Sequence, residues 1–207
     1  MLTPSLADLL PRLLVLLIAF PVHEFAHAWT ADRLGDDTPR LAGRLTLNPL
    51  AHLDLIGSIL LLFSFFGWAK PVPVNPYALQ RRTPAGMMIV AAAGPISNLA
   101  LAALASLPLQ LGWMTVSPVW LSQLVQTFIL INLILFFFNL IPIFPLDGEK
   151  VLAYFLPSGG QSFLAQIRPY GPILLMLVVF MSSRSGLNVL DVLVGGPAWG
   201  VFRLLVP

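Results

Sequence analysis

Three ionisable residues, His23, Glu24 and His27, lie at the end of a strongly apolar run near the start of the chain. Histidines at this spacing share one face of a helix, so both can reach one metal ion. This H-E-x-x-H pattern is typical of zinc hydrolases, in which the metal lowers the pKa of a bound water and the glutamate takes its proton. The alternative is two core histidines with an ion-paired glutamate. Ionisable groups in membrane helices are rare and usually functional, which favours the metal site.

A hydrolytic zinc site uses three protein ligands and one open position, so a third ligand is needed. The chain has no cysteine, which excludes thiolate ligands and disulfides. His52 or a carboxylate remains. Asp147 follows a stretch broken by Pro142 and Pro145, and irregular backbone at membrane depth is tolerated where it lines a cavity. Taken locally, "PLDG" is also ordinary turn chemistry, so a turn is the alternative reading of Asp147.

The composition places these residues in a membrane protein. Of the 207 residues, 57% are hydrophobic and 10% charged, whereas soluble domains carry about 25% charged residues. The net charge of +2 without any basic run argues against nucleic acid as a partner. No soluble-looking stretch is long enough for a second domain, so we expect residues 1–207 to form one membrane-embedded domain. The N-terminus lacks a basic region and a cleavage site, which predicts a retained first helix.

Hydropathy predicts three spanning helices and several weaker segments. A span needs about 20 mostly apolar residues, whereas 10–14 are too few to cross. The predicted spans are 6–30, 85–107 and 121–141. Residues 55–66 are predicted to dip into the membrane and return. The C-terminal candidates are 170–181, which can extend backwards past Pro169, and 187–205, which is interrupted by Gly195, Gly196 and Pro197.

Charge predicts the orientation of these helices. If 55–66 is re-entrant, six basic residues near its two flanks lie on one side of the membrane, which the positive-inside rule makes cytoplasmic. These are Arg33, Arg40, Arg44, Lys70, Arg81 and Arg82. The connection 108–120 has no charge, as expected on the outer side. This arrangement predicts an outer N-terminus and places His23 and Asp147 at the same depth near the cytoplasm.

Five motifs then carry a family resemblance. They are "HEFAH" (23–27), "LNPLAHLDLIGS" (47–58), "GWAKPVPVN" (67–75), "AAAGPISN" (91–98) and "FNLIPIFPLDG" (138–148). Together, over about residues 20–150, they resemble the site-2 protease family of intramembrane zinc metalloproteases, in its compact prokaryotic branch without PDZ or CBS domains. The resemblance implies an all-α polytopic membrane protein. Its catalytic core of three helices, about 6–150, carries a re-entrant, β-hairpin-like segment, and one or two further membrane segments follow in 151–207.

The resemblance also implies the roles of individual residues. His23, His27 and Asp147 would hold one Zn²⁺ per chain, and Glu24 would be the catalytic base. His52 would sit beside the site as an accessory residue and not as a ligand, with Asp54 as its possible pairing partner.

Two asparagines and one departure from the pattern complete the expected site. Asn98 and Asn139 would hold the substrate backbone or the oxyanion. Their alternative role is interhelical hydrogen bonding, for which membrane helices often use asparagine. Glu149 stands where many relatives have a small residue, and pairing with Lys150 is one consequence.

The expected function is that of a zinc-dependent intramembrane endopeptidase in the cell membrane. Its partners would be a transmembrane protein or peptide substrate and membrane lipid. The proline-rich segment 67–75 could offer an edge strand to an extended substrate. The alternatives are a non-proteolytic metal-binding or transport protein and a catalytically silent scaffold.

Overall fold

A computed structural model describes residues 6–63, 67–184 and 188–207, and these ranges contain helices and no β-strand. In chain order the helices are α1 (6–33), α2 (Thr38–Leu41), α3 (Pro49–His52), α4 (Leu55–Phe63), α5 (Pro76–Arg82), α6 (Gly86–Gln110), α7 (Val119–Asn139), α8 (Asp147–Phe155), α9 (Ser158–Ile167), α10 (Gly171–Arg184) and α11 (Gly196–Leu205). The predicted all-α membrane class is confirmed.

Four helical stretches of the described chain are long and apolar enough to cross a membrane. They are Leu9–Arg33, Gly86–Gln110, Val119–Asn139 and Ser158–Ser182. The first three match the predicted spans. The fourth shows that the weak 170–181 segment does extend back past Pro169, through the 3₁₀ turn Arg168–Tyr170. The final prediction, 187–205, begins outside the described residues; the rest contains α11 and the helical turn before it.

Two wide π-helical turns each precede a proline. In α1, Leu6–Leu14 and Phe20–Arg33 are joined by π-helix over Val15–Ala19, and Pro21 follows. Proline has no N–H for the carbonyl four residues earlier, and its ring crowds that carbonyl, so a wider turn accommodates it. The same arrangement recurs at Asp191–Gly195, before Pro197. In α1 the wide turn lies directly before the stretch that carries the two histidines.

Helices α1, α6 and α7 pack side by side as the core. Phe20 of α1 and Phe128 of α7 belong to one buried apolar cluster, and Ala102 of α6 and Ile129 of α7 belong to another. Small residues at these contacts let membrane helices approach closely. Helix α11 packs against α6 and α7, with Ala198 in the same buried cluster as Ala102 and Ile129, and the Gln110 side chain donates to the Leu205 carbonyl at 2.9 Å.

The re-entrant segment is a helix, not a β-hairpin, over Leu55–Phe63; residues 64–66 of the predicted dip lie outside the described ranges. A helix satisfies its own backbone hydrogen bonds, as apolar surroundings require. After the segment, the chain runs back beside the residues that precede α4, and Leu53 and Ala69 form one isolated antiparallel bridge there. From α1, Arg12 donates to the Leu62 carbonyl at 2.6 Å. The segment therefore turns back alongside the first half of α1.

Candidate metal centre

Three potential metal ligands converge where α1 meets the start of α8. The Oδ2 atom of Asp147 lies 3.3 Å from Nε2 of His23 and 3.2 Å from Nε2 of His27, and the two Nε2 atoms are 3.0 Å apart. All three residues are buried. The structure therefore brings together the three predicted ligands at one depth.

Asp147 reaches the histidines because the backbone between α7 and α8 is irregular and tightly packed. Helix α7 ends at Asn139, and the connection contains a cis peptide bond between Phe144 and Pro145. Gly148 lies so close to the Leu140 backbone carbonyl that a Cβ atom there would overlap it. Asp147 is thereby held as the first residue of α8, facing α1.

The other imidazole nitrogens are engaged on α6. Nδ1 of His27 donates to the backbone carbonyl of Val90 at 2.7 Å, and Nδ1 of His23 lies 2.6 Å from Oδ1 of Asn98. Because a carbonyl only accepts, the His27 proton resides on Nδ1, and Nε2 presents a lone pair toward Asp147. The Nε2 lone pair and the Asp147 carboxylate oxygen, 3.2 Å apart, repel each other unless they share a cation.

This donor set fits zinc. Zinc binds imidazole nitrogen and carboxylate oxygen at about 2.0–2.2 Å, and tetrahedral ligands at such lengths lie about 3.3 Å from one another. The separations of 3.0 to 3.3 Å among these atoms agree with that spacing. Asp147 is also balanced by Lys150, whose Nζ lies 3.5 Å from Oδ1.

An apolar cavity of about 980 Å³ opens onto the three ligands. Glu24 lines it, and no donor among the described residues hydrogen-bonds to its carboxylate. Asn139 also lines the cavity, while its Nδ2 donates to the Leu135 carbonyl of its own helix at 2.9 Å. Val72 and Val74 of the proline-rich segment also line the cavity. The cavity therefore brings a carboxylate, an amide and an extended segment to the three candidate ligands.

Asn98 is placed differently from Asn139. It is fully buried and does not line the cavity; its Oδ1 faces His23 and its Nδ2 donates to Asn132 at 3.1 Å. Both polar ends of the side chain are thus used inside the protein. These contacts favour the interhelical alternative for Asn98 over contact with a substrate.

His52 and Asp54 shape the base of the re-entrant segment. His52 is fully buried, with Nε2 bonded to the Thr46 carbonyl at 2.7 Å, and the ligand cluster does not include it. Asp54 does not pair with His52: its carboxylate accepts from the Gly57 N–H at the start of α4.

Glu149 pairs with Arg168, at 2.6 Å from Nη2, and not with Lys150. This ion pair links the beginning of α8 to the turn between α9 and α10. The departure from the family pattern therefore has its partner in the C-terminal part of the chain.

Sequence reasoning missed Asn132 and the role of Gly94. A Cβ atom at position 94 would overlap the imidazoles of His23 and His27, so only glycine lets α6 pass this close to them. Asn132 is fully buried beside Asn98. A signal was available, because asparagine inside a membrane helix is unusual and Asn132 lies about two turns before Asn139 on α7.

Comparisons with known proteins bear on the family of the chain. The family model described as "Peptidase family M50" matches residues 111–182. "Putative zinc metalloprotease YwhC" of Bacillus subtilis is 40% identical over 182 residues, covering 84% of this chain and 82% of that relative.

More distant relatives carry the same description. "Putative zinc metalloprotease Rip2" of Mycobacterium tuberculosis and its namesake from Mycolicibacterium smegmatis are each 31% identical. The matches cover 82% and 83% of this chain and 66% of each relative's own length. No solved structure gives a significant match.

Replacing Gly94 with alanine should abolish stoichiometric zinc binding, because the added methyl group displaces both imidazoles. The measurement is zinc per chain by elemental analysis after purification in detergent. Gly200→Ala is the matched control, since Gly200 is also helical but has open space around it. Full zinc content in Gly94→Ala would contradict the assigned packing.

Proposed function

Since the chain belongs to peptidase family M50, the site-2 protease family of zinc metalloproteases, we propose that it hydrolyses a peptide bond in or near a transmembrane segment of a membrane protein, with Glu24 as general base. The chain is a multi-pass membrane metalloendopeptidase whose cofactor is zinc. Membership alone does not assign the ligands or the base. The position of Glu24 on the cavity wall beside His23, His27 and Asp147 is the observation that carries the proposal.

The chemistry follows from the groups that face the cavity. His23, His27 and Asp147 would hold the zinc ion, and a bound zinc ion would supply Lewis-acid polarisation of a water molecule and of the scissile carbonyl. Glu24 accepts the proton of the attacking water and passes it to the departing amine nitrogen, so that hydrolysis leaves a carboxyl and an amino terminus. The buried, apolar setting strengthens these electrostatic effects relative to water.

Asn139 is proposed to hold the substrate backbone or the developing oxyanion. Its Oδ1 and its second amide hydrogen can face the cavity while Nδ2 stays bonded to the Leu135 carbonyl. A pre-positioned amide donor beside the reacting carbonyl is the kind of group that stabilises such charge. Asn98 and His52, by contrast, are proposed to support the site structurally.

Residues 71–75 are proposed to pair with the substrate as an edge strand. Val72 and Val74 are partly buried against the cavity, whereas the prolines between and beside them are exposed. Their two backbone N–H groups have no hydrogen-bond partner among the described residues. In an extended segment, alternate residues present their N–H groups to the same edge, and Pro71 and Pro73 remove the donors from the other edge. A peptide must be extended for hydrolysis, and pairing with this edge would hold the substrate in that extended conformation.

The active site is proposed to lie toward the cytoplasm, with the N-terminus outside. The re-entrant course of α4 supports this orientation, because it leaves Arg44 and Lys70 on the same side of the segment, where Arg44 donates to the Lys70 carbonyl at 3.2 Å. Residues 1–207 are proposed to act as one domain, with the core at about 6–150. Packing of α11 on α7 and the Glu149–Arg168 pair join 151–207 to that core.

Glu24→Gln should lower kcat by about 10²- to 10⁴-fold and leave one zinc per chain, because it removes the base and keeps the ligands. The assay is cleavage of a panel of single-span membrane proteins, with zinc analysis of the same preparations. His27→Ala, which removes a ligand, should lose both zinc and cleavage. Full turnover by Glu24→Gln would exclude Glu24 as the base.

Val72→Pro and Val74→Pro should abolish cleavage and retain zinc, since each removes one N–H from the proposed edge. Val72→Thr and Val74→Thr keep the N–H groups and are the matched controls. Cleavage is followed on the same substrates. Unchanged cleavage by both proline variants would rule out strand pairing at this segment.

The orientation can be read from single cysteines, because the natural chain has none. A membrane-impermeant maleimide should label Val116→Cys in intact spheroplasts, since Val116 is 93% exposed in the predicted outer connection. Gln80→Cys, exposed at α5, should be labelled only after permeabilisation. The reverse pattern would show that the site faces outward.

A further inference from the structure

A chain of hydrogen bonds runs from His23 across α6 into α7. Asn98 lies 2.6 Å from Nδ1 of His23, its Nδ2 donates to Oδ1 of Asn132 at 3.1 Å, and Nδ2 of Asn132 donates to the Phe128 carbonyl at 2.9 Å. Both asparagines are fully buried. Neither asparagine lines the cavity. Contact with a substrate or with water in the cavity therefore does not explain these two polar side chains.

The direction of this chain is set at its far end. A backbone carbonyl has no hydrogen to donate, so Asn132 must present its NH₂ group to Phe128 and its oxygen to Asn98. Asn98 must then present its NH₂ group to Asn132 and its oxygen to His23. An oxygen can only accept, so the His23 proton is placed on Nδ1 and the lone pair on Nε2.

We propose that Asn132 and Asn98 are positioning residues for the metal site: they hold His23 in the tautomer and orientation in which Nε2 can bind zinc. A partner on the second nitrogen of a histidine ligand commonly has this effect, and its loss weakens metal binding by about 10- to 100-fold. The inference rests on the proposed metal site and adds to it a residue, Asn132, that touches neither the ligands nor the cavity.

His27 needs no such side-chain relay. Its Nδ1 donates directly to the Val90 carbonyl, which is a fixed acceptor of the α6 backbone. A side-chain substitution can therefore remove the hydrogen-bond partner of His23. The partner of His27 is a backbone carbonyl, which a side-chain substitution leaves in place. A neutral amide relay also avoids placing a further charge in the apolar core, which would be costly.

A role in helix packing alone makes a different prediction. The bond between Asn98 and Asn132 would join α6 to α7 equally well if both amides were reversed. His23 would then face an NH₂ group, and its proton would move to Nε2, where it blocks the metal. The tautomer of His23 and its zinc affinity thus separate positioning from mere interhelical contact.

The test is zinc affinity, measured by competition with a chromogenic chelator on the full-length chain in detergent. Asn132→Leu should raise the zinc dissociation constant by about 10- to 100-fold, and Asn98→Leu by at least as much. Gln123→Leu removes an exposed amide from the same helix as Asn132, outside the relay and the cavity, and should leave zinc affinity unchanged.

Natural zinc affinity in Asn132→Leu would overturn the inference, as would equal weakening in Gln123→Leu. A natural chain that binds no zinc would instead overturn the metal site itself, so the two failures are distinguishable.

A second measurement needs no variant and does not depend on folding of Asn132→Leu. In the zinc-free natural chain labelled with ¹⁵N-histidine, at a pH high enough for His23 to be neutral, its nitrogen shifts should report the proton on Nδ1 and a lone pair on Nε2. The opposite tautomer would overturn the inference.

Discussion

Three lone-pair-bearing atoms are held within hydrogen-bond distance of one another in an apolar helical core, and the surrounding structure is arranged around that constraint. Atoms of this kind repel unless a cation lies among them, and burial intensifies the repulsion. Each ligand therefore needs an independent restraint: a backbone carbonyl for His27, an amide relay for His23, and a tightly packed irregular connection before Asp147. Gly94 lets those restraints come close enough to act together.

Much of this arrangement could be predicted from the sequence, because strong physical rules apply to membrane segments. Apolar length identified the spanning helices, basic residues suggested that the short segment returns, and the histidine spacing fixed a common face. The form of the re-entrant segment was not predictable from its apolar run, which suits a helix or a strand equally well. The role of Asn98 depends on the rotation of α6 about its own axis and on Asn132 in another helix, and no local pattern contains that information.

The C-terminal part of the chain, which carried no readable motif, is joined to the site by a few specific contacts. Arg168 pairs with Glu149, two residues after Asp147, and its guanidinium also lies over the Phe144 ring at 5.7 Å. Leu175 and Val194 pack on Ile141 and Leu146, the residues that flank the connection to Asp147. Residues beyond 151 therefore help to hold the third ligand in place, although none of those that the structure describes belongs to the ligand cluster.

The ligand set also has a topological consequence for the chain. It joins residue 27 to residue 147, so a bound ion would close a loop that contains α6, α7 and the re-entrant segment. Closing a long loop lowers the entropy of the unfolded chain, much as a disulfide does. In a protein without cysteine, a bound ion would thus act as a cross-link between distant parts of the chain, and resistance to unfolding would rise and fall with metal supply.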